Sequence, residues 1–418
     1  MLLSSPGVRR RALLALAGAL LVSAGGIAPP AEAQDVRSRQ WYLTAMKADD
    51  MWKVSKGKGV TVAVIDTGVD DSIPELRGQV LGGADVSNNP TGARADKEGH
   101  GTNMAALIAG TGAGGGIQGV APEAKILPIK HIADRKVDSV DGIEARAIRY
   151  AADHGARVIN ISAGSVTDGS QLPKTQSAVE YALKKGSLIF AAVGNNGDAG
   201  NQKSYPAGFP GVVGVGAIDR NGNVSKWSTS GDQLSLVALG DNIPIHCTKT
   251  EGICTSGGTS QATAIASASA ALIWSKHPKW TNNQVLRVMM QTAAKPTTGE
   301  IPSIYVGYGS IRPRKVLLDG EGAPGPADVN PLLAREGATK PDPSASASAS
   351  ESPSTDPQST PTATDDKKGD KKTIAEPKKN DNSSSTLWIA IGAGIAVLLA
   401  AAVAIALVRR RGSASASL

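Results

Sequence analysis

Aromatic side chains are scarce in this chain: two Phe, six Tyr and six Trp among 418 residues. A core must therefore rest on Ala, Val, Ile and Leu, packed closely with the help of 48 glycines. Cysteine is scarcer still. Cys247 and Cys254 are the only two, and His246 alone does not complete the four ligands of a zinc site. In an exported chain the even count predicts one disulfide rather than a free thiol pair, and it would close a small loop. The triplet Asp66-Thr67-Gly68 occurs once. Catalysis by two carboxylates sharing a proton needs two such copies and is excluded. A Gly-x-Gly-x-x-Gly match within Gly110–Gly119 follows a helical pattern where a dinucleotide site requires a strand, so it is read as a loop. The net charge of +7 counts the arginine clusters at both ends, and nothing else favours a nucleic-acid partner.

Against these absences stand four informative segments. The run Val60-Thr61-Val62-Ala63-Val64-Ile65 is β-branched and apolar throughout, as in a strand buried on both faces, and it ends on Asp66. Open α/β sheets place their sites at such carboxyl ends. His100, within Gly99-His100-Gly101-Thr102-Asn103, opens a short helix of small and apolar residues. Ser260 follows Ser256-Gly257-Gly258-Thr259, where two glycines allow a tight turn, and leads a small-residue helix. That position predicts an exposed hydroxyl at the positive end of a helix, in need of a base to become a nucleophile. The fourth segment is Ala191-Ala192-Val193-Gly194-Asn195-Asn196-Gly197. Asp, His and Ser occur in the order of one of the three known arrangements of the serine triad. The remaining histidines, His131, His154, His246 and His277, lack a motif and are read as surface or structural.

These segments resemble the signature motifs of the subtilisin-like serine proteases, over roughly residues 40 to 318. The resemblance implies Ser260 as nucleophile, His100 as general base and Asp66 as the residue orienting it. It implies an oxyanion hole from the Asn195 amide and the Ser260 N–H, and pairing of extended substrate along Ser162, Ala163 and Gly164. The activity implied is a serine endopeptidase acting on proteins or peptides through an acyl-enzyme. No cofactor is required by that chemistry. Family members often bind structural calcium, but no carboxylate-rich loop is identified, and no metal ligand is assigned. Two positions depart from the family pattern: Gln261 stands where methionine is usual and Asn103 where histidine is. Neither carries chemistry, so altered packing is expected.

The ends of the chain add a location. Arg9-Arg10-Arg11, an apolar run from Ala12 and Ala31-Glu32-Ala33 form the three-part pattern of a secretory signal peptide over 1–33. Residues 34–320 are expected to form the protease domain. Residues 321–385, rich in Pro, Ser, Ala, Thr and Lys, are expected to be a disordered linker. Leu387 to Val408 carries no charge and is long enough for a transmembrane helix, with Arg409-Arg410-Arg411 opening a cytoplasmic tail over 409–418. The catalytic domain is then extracytoplasmic on a single-pass membrane protein. With Arg39-Gln40-Trp41-Tyr42-Leu43 ahead of Ala48-Asp49-Asp50-Met51-Trp52, and no room for a folded propeptide before Asp66, this organisation resembles the mycosins. That resemblance implies association with type VII secretion and its membrane proteins. A protease-shaped scaffold for a secretion complex and a general surface protease are the alternatives.

The fold class expected is α/β, with a mainly parallel sheet covered by helices on both faces. Candidate strands are Lys125–Ile132, Arg157–Ser162, Ser187–Gly194, Val212–Ala217 and Leu234–Leu239. Candidate helices are Val140–His154, Ser177–Lys185 and a buried Ser260–Trp274. Leu172-Pro173-Lys174-Thr175, which faintly resembles a sorting signal, is read as a loop.

Overall fold

The computed structural model of the chain describes residues 36–131 and 137–334. The expected signal peptide, transmembrane helix, tail and most of the linker lie outside the described residues.

Seven parallel strands form the central sheet: β1 (Thr61–Asp66), β2 (Ala84–Asp85), β3 (Lys125–Lys130), β4 (Val158–Ile161), β5 (Leu188–Ala192), β6 (Val213–Ile218) and β7 (Leu236–Leu239). Their spatial order is β2-β3-β1-β4-β5-β6-β7, every neighbouring pair parallel. From β1 the chain forms the edge strand β2 and then β3 between them, before running outward from β4 to β7 on the other side, so β1 lies at the switch of strand order, where α/β sheets leave a crevice at their carboxyl ends. Asp66 ends β1 at that crevice.

The period-2 geometry of strands sorts the apolar residues into two cores. Val62, Val64, Ile126, Val158, Leu188, Phe190, Val213 and Val215 belong to one buried cluster. Ala63, Ile65, Leu127, Ile129, Ile159, Ile161, Ile189 and Ala191 belong to the other. The first cluster is completed by α3 (His100–Ala109), α6 (Thr259–Lys276) and α7 (Asn282–Thr292), the second by α4 (Val137–Asp153) and α5 (Pro173–Lys184). Three shorter helices, α1 (Trp41–Met46), α2 (Ala48–Trp52) and α8 (Pro313–Leu317), also add side chains to the first cluster. Helix α6 buries Thr259 through Trp274 without interruption. Its hydroxyls are paired inside: Thr263 and Ser269 donate to the carbonyls one turn back, and Ser267 donates to Asn160 Oδ1 at 3.0 Å. Small side chains let this helix lie close under the sheet, and local pairing removes the desolvation penalty of its hydroxyls.

Several boundaries differ from expectation. Each expected strand is two or three residues shorter than expected except Val212–Ala217, which shifts to Val213–Ile218. Leu172-Pro173 is not a loop: Pro173 opens α5, where its missing N–H costs nothing. Residues 321–334, expected to open the linker, pack on the domain instead. The Arg287 guanidinium donates to the carbonyls of Pro324, Pro326 and Val329 at 2.6–2.8 Å, and Leu332 is buried. An antiparallel hairpin of β8 (Ile243–His246) and β9 (Ile253–Ser256) occupies the region read only as a disulfide loop. The Cys247–Cys254 disulfide itself is formed, closing the hairpin over a separation of 7 residues.

The N-terminal segment straps this core. Tyr42, Leu43 and Met51 are fully buried. Gln40 exchanges both side-chain hydrogen bonds with the backbone of Gln118, at 2.8 and 3.0 Å. The Trp41 indole N–H donates to Asn242 O, and Arg39 donates to Ile253 O in the hairpin. Among the described residues no helix is long and apolar enough to cross a membrane.

Candidate active site

Val62, Val64 and Asp66 share one face of β1, so the Asp66 side chain faces the layer that holds α3 and α6. There Asp66 Oδ1 meets His100 Nδ1 at 2.7 Å. The Thr67 N–H donates to the same oxygen at 2.8 Å. Asp66 is 3% exposed, and its Oδ2 has no hydrogen-bond partner among the described residues. The close approach depends on Gly101: a Cβ there would stand 2.1 Å from Gly68 O and 2.9 Å from Asp66 Cβ. Burial draws the His100 imidazole down, but the hydrogen bond and charge of Asp66, with the charges of Asp96 and Glu98, outweigh it and hold the ring above its ordinary 6.5. With Nδ1 donating to Asp66, Nε2 is the free acceptor that a general base needs.

Asp96, which sequence reading did not single out, holds this arrangement. Its Oδ1 accepts from Thr67 Oγ1 at 2.9 Å and from the N–H groups of Glu98 and Gly99 at 3.1 and 2.8 Å. Its Oδ2 accepts from the Thr102 N–H and hydroxyl at 2.9 and 2.6 Å. Thr67 Oγ1 in turn accepts from the Gly101 N–H. One carboxylate thus caps the first turn of α3 and ties it to the end of β1. The sequence signal was available, since an Asp a few residues ahead of a helix start is a capping pattern.

Ser260 is the second residue of α6, and it is 7% exposed where an exposed hydroxyl was expected. The difference has a local cause: the side chain turns under the end of β4 and donates to Ser162 O at 3.0 Å. That carbonyl belongs to a polar chain in which Ser267 donates to Asn160 and Asn160 donates to Ser162 Oγ at 2.9 Å. Ser162, Ala163 and Gly164 therefore continue β4 directly beside the serine. Asn195, past the end of β5, is exposed and accepts from the Thr259 N–H and hydroxyl through Oδ1, both at 2.9 Å. Its Nδ2 has no hydrogen-bond partner among the described residues, and neither has the Ser260 N–H. Two unpaired donors beside one serine hydroxyl are what a developing oxyanion needs.

The four other histidines each have a partner elsewhere in the fold. His131 faces buried Glu144 at 3.3 Å, whose carboxyl burial pushes up. His154 stacks on Tyr150, His277 stacks on Trp280, and His246 bonds to Glu75. Among the described residues no group of three or more His, Cys, Asp or Glu is placed to hold a metal ion. A cavity of about 890 Å³ lies at the opposite end of the strands, against Arg157 and Ser187 just ahead of β4 and β5, away from this constellation.

The family pattern described as "Subtilase family" matches residues 57–309. The chain belongs to the subtilase family. Thermitase of Thermoactinomyces vulgaris is 34% identical over 281 residues, which cover 67% of this subtilase and 96% of thermitase. Among solved structures, MycP1 from Mycobacterium smegmatis matches with a TM-score of 0.60 at 27% identity, covering 69% of this chain and 86% of that one. MycP3 protease from the type VII (ESX-3) secretion system matches with a TM-score of 0.57 at 33% identity, over 66% and 87%. This subtilase is thus a serine-type endopeptidase by family, with mycosins among its structural neighbours.

Proposed function

We propose that Asp66, His100 and Ser260 are the catalytic residues of this protease and that Asn195 Nδ2 and the Ser260 N–H form its oxyanion hole. The observation that carries the reading is the 2.7 Å bond from His100 Nδ1 to a buried Asp66, which leaves Nε2 as acceptor. Peptide substrate lies extended along Ser162, Ala163 and Gly164. Rotation about χ1 moves the Ser260 hydroxyl from Ser162 O toward His100. Nε2 takes its proton as Oγ attacks the scissile carbonyl. The two free N–H donors hold the oxyanion, and Asp66 stabilises the imidazolium. Collapse passes the proton from Nε2 to the leaving amine and leaves an acyl-enzyme. Water repeats the cycle and releases the acid. The test is labelling of the full chain by a fluorophosphonate probe beside Ser260→Ala. Labelling of wild type alone is expected; a folded wild-type chain that takes no label overturns the assignment.

The protease is further read as membrane-anchored, with its catalytic domain outside and its C-terminus in the cytoplasm, acting with type VII secretion. The signal-peptide and transmembrane patterns at the two ends support the location, and structural likeness to proteases of ESX secretion systems supports the role. Secretion by a deletion strain complemented with wild type or Ser260→Ala tests it. Unimpaired secretion in the deletion strain would remove the role, and rescue by Ser260→Ala would make the protein a scaffold in secretion.

A further inference from the structure

The β8–β9 hairpin runs from β9 straight into Gly257-Gly258-Thr259-Ser260, so its placement sets the approach of the nucleophile. It is fastened to the half of the site that carries the acid and base. Asn103, one turn into the helix that begins at His100, pairs with both backbone groups of His246: Nδ2 donates to His246 O at 3.0 Å and Oδ1 accepts the His246 N–H at 2.8 Å. The His246 side chain bonds through Nε2 to Glu75 Oε1. Glu75 follows the Asp66-Thr67-Gly68 turn and is fully buried. It is held by the Ile117 N–H on the same oxygen at 3.0 Å and by Thr111, which donates twice to its carbonyl. Gly116 leaves the room, since a Cβ there would stand 2.3 Å from the Glu75 carboxyl carbon. On the other side of the hairpin Gln261, next to the nucleophile, donates to Ser256 Oγ at 3.3 Å. A continuous run of bonds therefore joins the segment after Asp66, the helix of His100, the hairpin and the helix of Ser260.

We propose that His246 is a positioning residue for peptide hydrolysis: its junction with Asn103 and Glu75 fixes the β8–β9 hairpin, and with it the Ser256–Gly258 approach to Ser260, against the helix that carries His100. A buried carboxylate is costly unless its charge is well paired, and Glu75 has one backbone N–H, from Ile117, on Oε1; the His246 ring adds the second partner, so Glu75 favours the hairpin register that delivers it. Asn103, in place of the family histidine, reads the backbone of the same residue and admits no slip along β8. The junction touches neither substrate nor reacting atoms, and its effect falls on the geometry in which Ser260 meets His100.

The inference rests on Ser260 as nucleophile, which labelling of wild type and its loss in Ser260→Ala check separately. The experiment compares full-length wild type, His246→Ala, His246→Gln and Asn103→Ala, each well below its thermal midpoint, for kcat and KM on a peptide and for the fluorophosphonate labelling rate. Misplacement of reacting groups by about 1 Å costs up to about a hundredfold, so His246→Ala is expected to lower kcat and labelling about ten- to a hundredfold with KM little changed. His246→Gln, whose amide can still donate to Glu75, is expected to restore most of the rate. Asn103→Ala, which keeps the Glu75 bond, is expected to lower kcat with KM held, and it decides the matter should His246→Ala not fold. A wild-type labelling rate in the folded variants, or equal losses in His246→Ala and His246→Gln, overturns the proposal.

Discussion

On the proposed mechanism Asn195 carries two separable tasks on opposite atoms of one amide, and that makes it the sharpest probe of the site. Oδ1 accepts the Thr259 N–H and hydroxyl at 2.9 Å each and so caps the first turn of α6, while Nδ2 is left for the oxyanion. Asn195→Ala removes both. Loss of a capping acceptor costs about 1 kcal/mol, which in a domain of this size lowers the thermal midpoint by about 2–4 °C. Loss of one oxyanion donor costs about 2.7–4 kcal/mol in the transition state, a fall in kcat of about two to three orders of magnitude. Asn195→Asp separates the terms. It keeps the acceptor and adds a negative charge at a helix N-terminus, worth about 0.3–1 kcal/mol at neutral pH. It also replaces the donor with an oxygen that repels the oxyanion. The two variants are therefore expected to fall together in kcat and to differ in thermal midpoint, Asp at or above wild type and Ala below it. The assay is kcat on a peptide and thermal unfolding at one neutral pH. An Asp variant that keeps kcat within about tenfold of wild type would refute the oxyanion role assigned here.

Four further outcomes follow from the structure. The base works neutral, and Asp66 holds the His100 imidazole above 6.5, so kcat/KM should rise with pH along an acid limb centred above 6.5; a midpoint at or below that value contradicts the pairing. The same shift contributes stability that is full below 6.5 and lost as pH rises through the folded value, and Asp66→Asn should remove it while lowering kcat by about four orders of magnitude. Gly101→Ala drives a methyl into Gly68 O and Asp66, so kcat/KM should drop at least about tenfold, measured on folded protein; an unchanged value would show that α3 can move without harm. Reducing Cys247–Cys254 opens a loop of 7-residue separation, for which chain entropy predicts a loss of about 2.5 kcal/mol, read as a lower midpoint in denaturant; no shift would mean that the Glu75 and Asn103 bonds alone hold the hairpin.

The sheet and the candidate triad were legible because their signals are local. A β-branched run ending in Asp66 is a buried strand wherever it occurs, and Gly-His-Gly and Gly-Gly-Thr-Ser mark helix starts within a few residues. The coupling between those pieces was not legible. Glu75 and His246 are 171 residues apart, and Asn103 and His246 are 143 apart, so no spacing rule brings them together. The hairpin that unites them was hidden by Pro244, which disfavours a strand in sequence but sits in a two-stranded ribbon where a missing N–H is tolerated. Ser260 shows the same limit in another form. Its motif fixes its place at the start of α6, yet its hydroxyl direction depends on Ser162 O, which β4 delivers from 98 residues away. In the proposed mechanism that carbonyl competes with His100 for one proton, so the Ser260 hydroxyl is held turned toward Ser162 O until substrate binds. Substrate seated along Ser162–Gly164 and the imidazole Nε2 must together supply a better bond than the 3.0 Å one that is given up. On the proposed reading the strand that pairs with substrate is also the element that holds the serine hydroxyl. Changing Ser162 to glycine removes the Oγ that Asn160 holds while keeping the carbonyl, and should loosen that hold. The labelling rate with a small probe should rise or hold while kcat on an extended peptide falls; equal losses in both would show that Ser162 only shapes the strand.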